Sequence, residues 1–275
     1  MQQETNFNEI EKKCRVNTKE LLLYPPIALS MGEIRLKTKQ GTKTFPIPIG
    51  TYGNFSFVSS PPKTHKTYFI SLLASVYISG QNRFGGEMKG YREDKCLIHF
   101  DTEQGKYHAQ RVFARVNDMS EIDGSENICY HTFALRTIGY KVRLEFIDYY
   151  LRKQENLGLV IIDGIADLCS DVNNIIEANE VVQRIMEWSA NYNCHIICVI
   201  HSNWGNEKPT GHLGSFLEKK TETHIQLEAT SQNNIMVKCK RSRGFAFNDF
   251  SFKVNDFGLP EVTNNIYDPL KDIRF

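Results

Sequence analysis

Asn54-Phe55-Ser56-Phe57-Val58-Ser59-Ser60-Pro61-Pro62-Lys63-Thr64-His65-Lys66-Thr67, running straight on into Tyr68 to Ser79, is the stretch on which the fold of this 275-residue chain turns. Phe55 to Ser59 reads as a strand, and Lys66 to Ser79 as a helix that Gly80 stops. A loop that leaves a strand and opens a helix offers backbone N–H groups and the positive end of a helix dipole to an anion. The phosphate-loop pattern G-x-x-x-x-G-K-[ST] would set glycines at Ser60 and His65, and both are missing. Its Lys-Thr pair is present. Lys66 could reach the β- and γ-phosphates of a nucleotide, and the Thr67 hydroxyl could ligate Mg²⁺. Pro61 and Pro62 have no N–H to offer, which leaves the amides of Lys63, Thr64, His65, Lys66 and Thr67 to hold phosphate. An ordinary basic loop capping a helix would read the same way.

Outward from this stretch, short apolar runs alternate with longer amphipathic ones. Cys96 to Phe100, Leu159 to Ile162 and Ile196 to Ile200 are strand candidates without a polar face. Continuous apolar strands are buried on both sides, as in a parallel sheet covered by helices. His108 to Met119, Gly139 to Arg152 and Ala178 to Tyr192 supply the helices between them, so the main domain is α/β. The tail alternates at period two over Thr223 to Leu227, Ile235 to Lys240 and Phe250 to Val254. That predicts an antiparallel strand run appended to the parallel sheet. At the other end, Asn8 to Leu23 is expected to be a helix capped by Asn8 and ended by Pro25-Pro26, and Gly32 to Pro48 a polar arm or small hairpin. The expected division is an N-terminal segment, residues 1–51, and a main domain, 52–275.

Three further strand ends carry polar groups. Leu159 to Ile162 ends in Asp163, the position from which a phosphate-loop enzyme holds the water shell of Mg²⁺; equally, such an Asp caps a turn, since Gly164 follows. Cys96 to Phe100 ends in Asp101-Thr102-Glu103-Gln104, where Glu103 could orient and deprotonate an attacking water, or could simply sit in a first helical turn. Ile196 to Ile200 ends in His201-Ser202-Asn203 and leads into Trp204 to Ser215, read as a long, glycine-rich loop that a ligand would order. In a doubly wound sheet these ends and the first loop would meet at one edge.

Together these motifs resemble the RecA-fold ATPases, and among them the RepA-like, KaiC-like and DnaB-type proteins, with the mobile-element RepA-like group nearest. The resemblance spans about Gly53 to Val254. It rests on the run ending in Lys66-Thr67, on Asp101 to Gln104, on Leu159 to Leu168, and on Gly211 to Glu228, "GHLGSFLEKKTETHIQLE". It implies a RecA-like fold, ATP and Mg²⁺ as cofactors, and a site in which Ser60, Lys63, Thr64, His65, Lys66 and Thr67 hold nucleotide. Thr67 and Asp163 would hold the metal, Glu103 would be the catalytic carboxylate, and His201 would sense the γ-phosphate. It further implies a DNA-lining segment from Trp204 to Gly214, with Trp204, Lys208 and His212 as DNA contacts. A trans-acting Arg243 from the basic run "KCKRSRGF" would serve a neighbour's nucleotide in a homo-oligomer, a hexameric ring among the possibilities. Single-stranded DNA would be the partner, in a helicase-like or helicase-loading role.

Composition sets the outer limits. With 41% hydrophobic and 24% charged residues, wholesale disorder is excluded. Lys plus Arg is 33 against 32 Asp plus Glu, a formal charge of +1, so any DNA contact must come from local basic segments such as Arg83 to Arg92, Lys219-Lys220 and Lys238 to Arg243. The longest apolar run, Phe69 to Ile78, is too short for a membrane span. The N-terminus lacks an apolar signal core, so a cytoplasmic location is expected. The 7 cysteines fit no zinc spacing and read as reduced structural thiols. Two rival readings stand beside an ATPase: a nucleotide-binding regulator with little turnover, and a DNA-binding protein that has lost nucleotide.

Overall fold

The computed structural model describes residues 6–39, 41–80, 82–83, 87–121, 129–203, 208–230 and 234–263. In chain order they form α1 (Phe7–Cys14), β1 (Ile27–Thr38), β2 (Gly41–Thr51), β3 (Phe55–Ser60), α2 (Lys66–Ser79), β4 (Asn82–Arg83), β5 (Met88–Gly90), β6 (Cys96–Asp101) and α3 (Lys106–Ser120). Then follow β7 (Tyr130–Ala134), α4 (Tyr140–Lys153), β8 (Leu157–Asp163), a 3₁₀ turn (Ile165–Leu168), α5 (Ile175–Asn191), β9 (His195–His201) and α6 (Gly211–Lys220). The tail adds β10 (Thr223–Ala229), β11 (Ile235–Ser242), β12 (Phe250–Val254) and β13 (Pro260–Thr263).

The main sheet runs β13-β12-β11-β10-β3-β9-β8-β6-β7. From β7 to β10 every neighbouring pair is parallel, and from β10 to β13 every pair is antiparallel. The register sets Ser60 of β3 opposite His201 of β9, and Asp101 of β6 opposite Asp163 of β8. Every residue of β3, β6 and β8 is buried, as expected for strands covered on both faces.

Helix α2 is apolar all round because it is enclosed all round. Phe69, Ile70, Leu72, Leu73, Val76 and Tyr77 are fully buried between the sheet and the N-terminal hairpin; each contributes about 1.5–3 kcal/mol relative to exposure. Gly80 ends the helix at φ 59°, in the left-handed region where glycine is unstrained. Helices α4, α5 and α6 pack on the other face around Ile147, Val181, Ile185, Trp188, Leu213 and Leu217.

Three expectations need correction. The N-terminal helix is shorter than Asn8 to Leu23: it spans Phe7–Cys14, with Asn6 as its cap, and buries no residue. A helix without a packed face is marginal beyond its capped turn, and Leu21, Leu22 and Leu23 fall consecutively and stay exposed. The hairpin is longer than Gly32 to Pro48. Its base, through Ala28, Leu29, Met31, Ile47 and Ile49, enters the α2 core, and β1 recruits β5. The cysteines are not all free either: Cys96 and Cys129 form a disulfide. Strands β6 and β7 are parallel neighbours, so residues remote in sequence arrive side by side with Cα atoms 4.7 Å apart. Among the described residues, no helix is long and apolar enough to cross a membrane.

Candidate functional site

The loop after β3 is folded on itself. The Thr64 hydroxyl contacts Ser60 Oγ and donates to the Pro61 carbonyl at 2.7 Å. Two of its residues take up left-handed backbone, Lys63 at φ 63° and His65 at φ 56°. His65 thereby occupies the conformation that the pattern's glycine supplies without strain, at a cost of about 1–2 kcal/mol for a residue with a Cβ. Its ring meets Tyr68 edge-on, with centroids 5.4 Å apart. His65 starts α2 with no side-chain cap, and no acidic residue stands in the first turn. An uncapped helix start without acidic neighbours is an anion site in electrostatic terms.

Lys66 is almost wholly buried, and its ammonium donates to His201 Nδ1 at 2.9 Å. Because Nδ1 accepts, the ring proton lies on Nε2, which faces Glu103 Oε1 at 3.4 Å. Lys66, His201 and Glu103 thus form one chain across the ends of α2, β9 and β6. Burial lowers the Lys66 ammonium below its ordinary value, with Glu103 and Asp163 opposing the shift. The Glu103 carboxyl is held low, first by the hydrogen bond from His201. Asp163 is 3% exposed, and burial, then the charges of Asp101 and Glu103, push it up to about 8.

The carboxylate loop is fixed by the neighbours of Glu103 in the motif, to which the sequence assigned no part in the site. Asp101 Oδ1 accepts the amides of Glu103 (3.1 Å) and Gln104 (2.8 Å), and these bonds aim Glu103 out of the sheet. The Asp-x-Glu spacing was a usable signal for this turn. The Thr102 hydroxyl lies within 3.0 Å of the Asp163 and Gly164 carbonyls and of Asp167 Oδ2. Gly164, at φ 98°, allows this approach: a Cβ there would stand 2.2 Å from Thr102 Oγ1. Gln104 Nε2 reaches Thr67 Oγ1 at 3.4 Å. Thr67 follows Lys66 at the start of α2, and Lys66 is near enough to Asp163 for the two charges to interact; the oxygens of Thr67 and Asp163 are of the hard type that Mg²⁺ prefers.

Ser60, Lys63, Thr64, His65, Lys66, Thr67, Glu103, Asp163 and His201 all gather at the carboxyl edge of the parallel strands. Arg243 does not. Its amide bonds to the Glu222 carbonyl, and the Glu222 amide to Phe55 at the start of β3. The six residues of β3, about 20 Å of strand, separate it from Lys66. Lys219, Lys220 and the end of β11 share that far edge with it, and Arg243 also donates to the Lys220 carbonyl.

The segment after β9 differs from the expected loop. Ser202 pairs with Pro209, Asn203 N bonds to Lys208 O, and Thr210 returns to the His201 carbonyl. Helix α6 begins at Gly211, so His212 is helical rather than part of a loop reaching Ser215. Gly214 reads as a loop residue in sequence because glycine disfavours helices. Here it is required, since a Cβ would come within 2.5 Å of the Pro209 carbonyl carbon. Lys208 and His212 thus lie close to His201 in the chain and in space. Trp204 lies outside the described residues, and the Arg83 to Arg92 segment is described only in part.

A family model described as an AAA domain matches residues 50–207, more than half of the chain. No curated protein sequence matches it. Among solved structures, the RadB recombinase is similar over 78% of this chain and 92% of its own, with a TM-score of 0.55 and 15% identity. A KaiC-like protein from the hyperthermophilic archaeon Pyrococcus horikoshii is similar over 78% and 90%, with a TM-score of 0.54 and 14% identity. These structures share the RecA-like fold: a mostly parallel sheet between helices, with antiparallel strands at its C-terminal end.

Proposed function

The chain belongs to the AAA domain family of nucleotide-binding ATPases, and from that premise we propose that it binds Mg-ATP at the Ser60 to Thr67 loop, hydrolyses it, and acts on DNA. The observation that carries this reading is the chain Lys66–His201–Glu103, set with Asp163 at the uncapped start of α2. The ATPase domain in this reading is 52–275, with 1–51 as an N-terminal segment. The subtype we favour is the RepA-like, mobile-element one, with a phosphate loop that has exchanged its glycines for Ser60 and His65.

Thr67 and Asp163 would hold Mg²⁺, which would neutralise charge on the β- and γ-phosphates. The remaining steps belong to the chain's own groups. The amides from Lys63 to Thr67 receive phosphate oxygens at the positive end of α2. Lys66 exchanges His201 for a phosphate oxygen, stabilising charge as the bond to the leaving phosphate breaks. Glu103, kept ionised by its hydrogen bond from His201, orients the attacking water and accepts its proton. His201, released by Lys66 when phosphate arrives, moves its contact toward Glu103. Its carbonyl carries Thr210, so the change passes to Lys208 and His212 at the edge where we place DNA. Arg243, remote from this site, would serve only the site of a neighbouring copy.

Steady-state hydrolysis of Mg-ATP with and without single-stranded DNA, with Lys66→Ala as the blank, tests the proposal. Turnover that vanishes in the variant and rises with DNA supports it. Tight ATP binding without turnover would replace it with the regulator reading, which Pro61-Pro62 and the His201 hold on Lys66 favour. DNA binding indifferent to ATP would replace it with the nucleotide-free one.

A further inference from the structure

Directly behind the carboxylates of the nucleotide edge lies a second polar group. His99 stands two residues before Asp101 on β6, so both point to the same face of the sheet, and Asp163 is the cross-strand partner of Asp101. All three are buried, at 1%, 0% and 3% exposure. One donor atom from each lies within 4.8 Å of the others. Neither ring nitrogen of His99 has a hydrogen-bond partner, and neither does Asp101 Oδ2 or Asp163 Oδ2. The other oxygen of Asp101 is committed to the Glu103 and Gln104 amides.

Burying polar groups without partners is costly, and two adjacent carboxylates multiply the cost. The nearest described cation, Lys66, is engaged by His201 on the nucleotide side. A neutral imidazole with two carboxylate oxygens is a ligand set, and its mixture of nitrogen and oxygen suits Zn²⁺, Mn²⁺, Fe²⁺ or Co²⁺ rather than Mg²⁺ or Ca²⁺. Donors on one tetrahedral ion sit about 3.3–3.6 Å apart, from bonds of about 2.0–2.2 Å. Closing a pair that stands at the 4.8 Å limit therefore asks for an approach of about 1 Å, within reach of side-chain rotations shared between the two residues.

We propose that His99, Asp101 and Asp163 bind one transition-series divalent cation behind the nucleotide site, through a His99 ring nitrogen, Asp101 Oδ2 and Asp163 Oδ2. Asp163 would then be shared, with one oxygen toward this ion and the other toward the nucleotide edge. The bound cation neutralises the carboxylate pair and fixes the ends of β6 and β8, from which Glu103 and Gly164 extend. The site does not depend on ATP turnover, because its donors belong to the strands rather than to the phosphate loop.

The test uses the full-length, nucleotide-free protein. Metal content is measured by mass spectrometry as purified. Chelator-treated protein is then titrated with Co²⁺, or refolded with it, while visible absorption and Tm are followed. The expected result is about one bound transition metal per chain, Co²⁺ ligand-field bands, and a Co²⁺-dependent rise in Tm. His99→Phe keeps an aromatic ring in this core position and removes the nitrogen donor. It should lower Co²⁺ affinity about a hundredfold or more, abolish the bands, and melt no lower than wild type under chelator. Lys66→Ala should lose ATP binding and keep the Co²⁺ spectrum, which separates this site from the nucleotide reading. Wild type that shows neither metal nor a Co²⁺ response, or His99→Phe that responds as wild type does, overturns the proposal whatever the ATPase result.

Discussion

Gly164→Ala should damage both the fold and the candidate site. Two costs are set by the backbone and by what faces it. At φ 98° and ψ 46° an alanine is strained by about 1–2 kcal/mol. Its Cβ would also stand 2.2 Å from Thr102 Oγ1 and 2.8 Å from Glu103 Cγ, an overpacking worth about 1–3 kcal/mol. Part of this is relieved if Thr102 turns away, but its hydroxyl then loses hydrogen bonds worth about 1 kcal/mol. The sum is about 2–5 kcal/mol, a large share of a typical domain's total of about 5–15 kcal/mol.

The functional cost follows from the same contact. Glu103 Cγ must retreat by about 0.7 Å to reach ordinary van der Waals distance, and misplacing a catalytic group by about 1 Å costs on the order of a hundredfold. Turnover should fall about 10- to 100-fold, with nucleotide affinity largely kept, because Lys66 and Thr67 do not face Gly164. Urea unfolding and steady-state hydrolysis measure the two effects. Thr102→Ala supplies the cross-check: if the hydroxyl is the main obstacle, the double variant should be less destabilised than the sum of the singles by about 1 kcal/mol. A Gly164→Ala protein within about 0.5 kcal/mol of wild type with full turnover, or an additive cycle, would refute the reasoning.

Asp163 is raised from 3.8 to about 8 in the folded chain, so between those values the native state holds a proton that the unfolded state has lost. Stability from this group is fully present below pH 3.8 and lost as pH rises through about 8; in nucleotide-free, chelator-treated protein, Asp163→Asn should flatten that decline in urea midpoints measured from pH 5 to 9. His201→Ala removes the hydrogen bond that holds Glu103 low, so the acid limb of the pH–rate profile should move to higher pH and turnover should fall about 10- to 100-fold. An unmoved acid limb would show that Glu103 does not set it. The disulfide closes 33 residues, for which chain entropy gives at most about 3–4 kcal/mol; Cys96→Ser/Cys129→Ser or added reductant should lower Tm, and an unchanged melt would mean that the bond contributes nothing.

Strands β3, β6, β8 and β9 were legible because a strand buried on both faces has no polar alternation to confuse it. Their polar ends were legible because Lys66-Thr67, Glu103, Asp163 and His201 interrupt apolar runs abruptly. Other elements are decided by contacts that a local window cannot contain. The β1–β2 hairpin mixes a polar outer half with a buried base, so it reads as an arm until α2 is packed on Ala28, Leu29 and Ile49. Strand β7 is a sheet edge, half-exposed and short, and its pairing with β6 alone brings Cys129 to Cys96. The start of helix α6 was hidden by Gly211 and Gly214, both placed by neighbours: one sits at φ 69° against Val172, the other under Pro209.

His65 shows most directly why a pattern match and a physical reading can disagree. The pattern asks for glycine because the backbone there must be left-handed and must approach phosphate. Only the first of these is a requirement of the fold, and His65 meets it at φ 56°, at about 1–2 kcal/mol of strain. The loop therefore takes the left-handed turn that the pattern asks of its glycine, although its letters are not those of the pattern. Strain of this size is retained where surrounding structure over-determines it, and here Thr64, held by Ser60 and Pro61, and Lys66, held by His201, fix the loop on both sides of His65. What the missing glycine changes is the room above the loop. The imidazole, beside Tyr68, belongs to the residue whose amide and neighbours are proposed to receive phosphate, so beyond the backbone strain its effect falls on affinity.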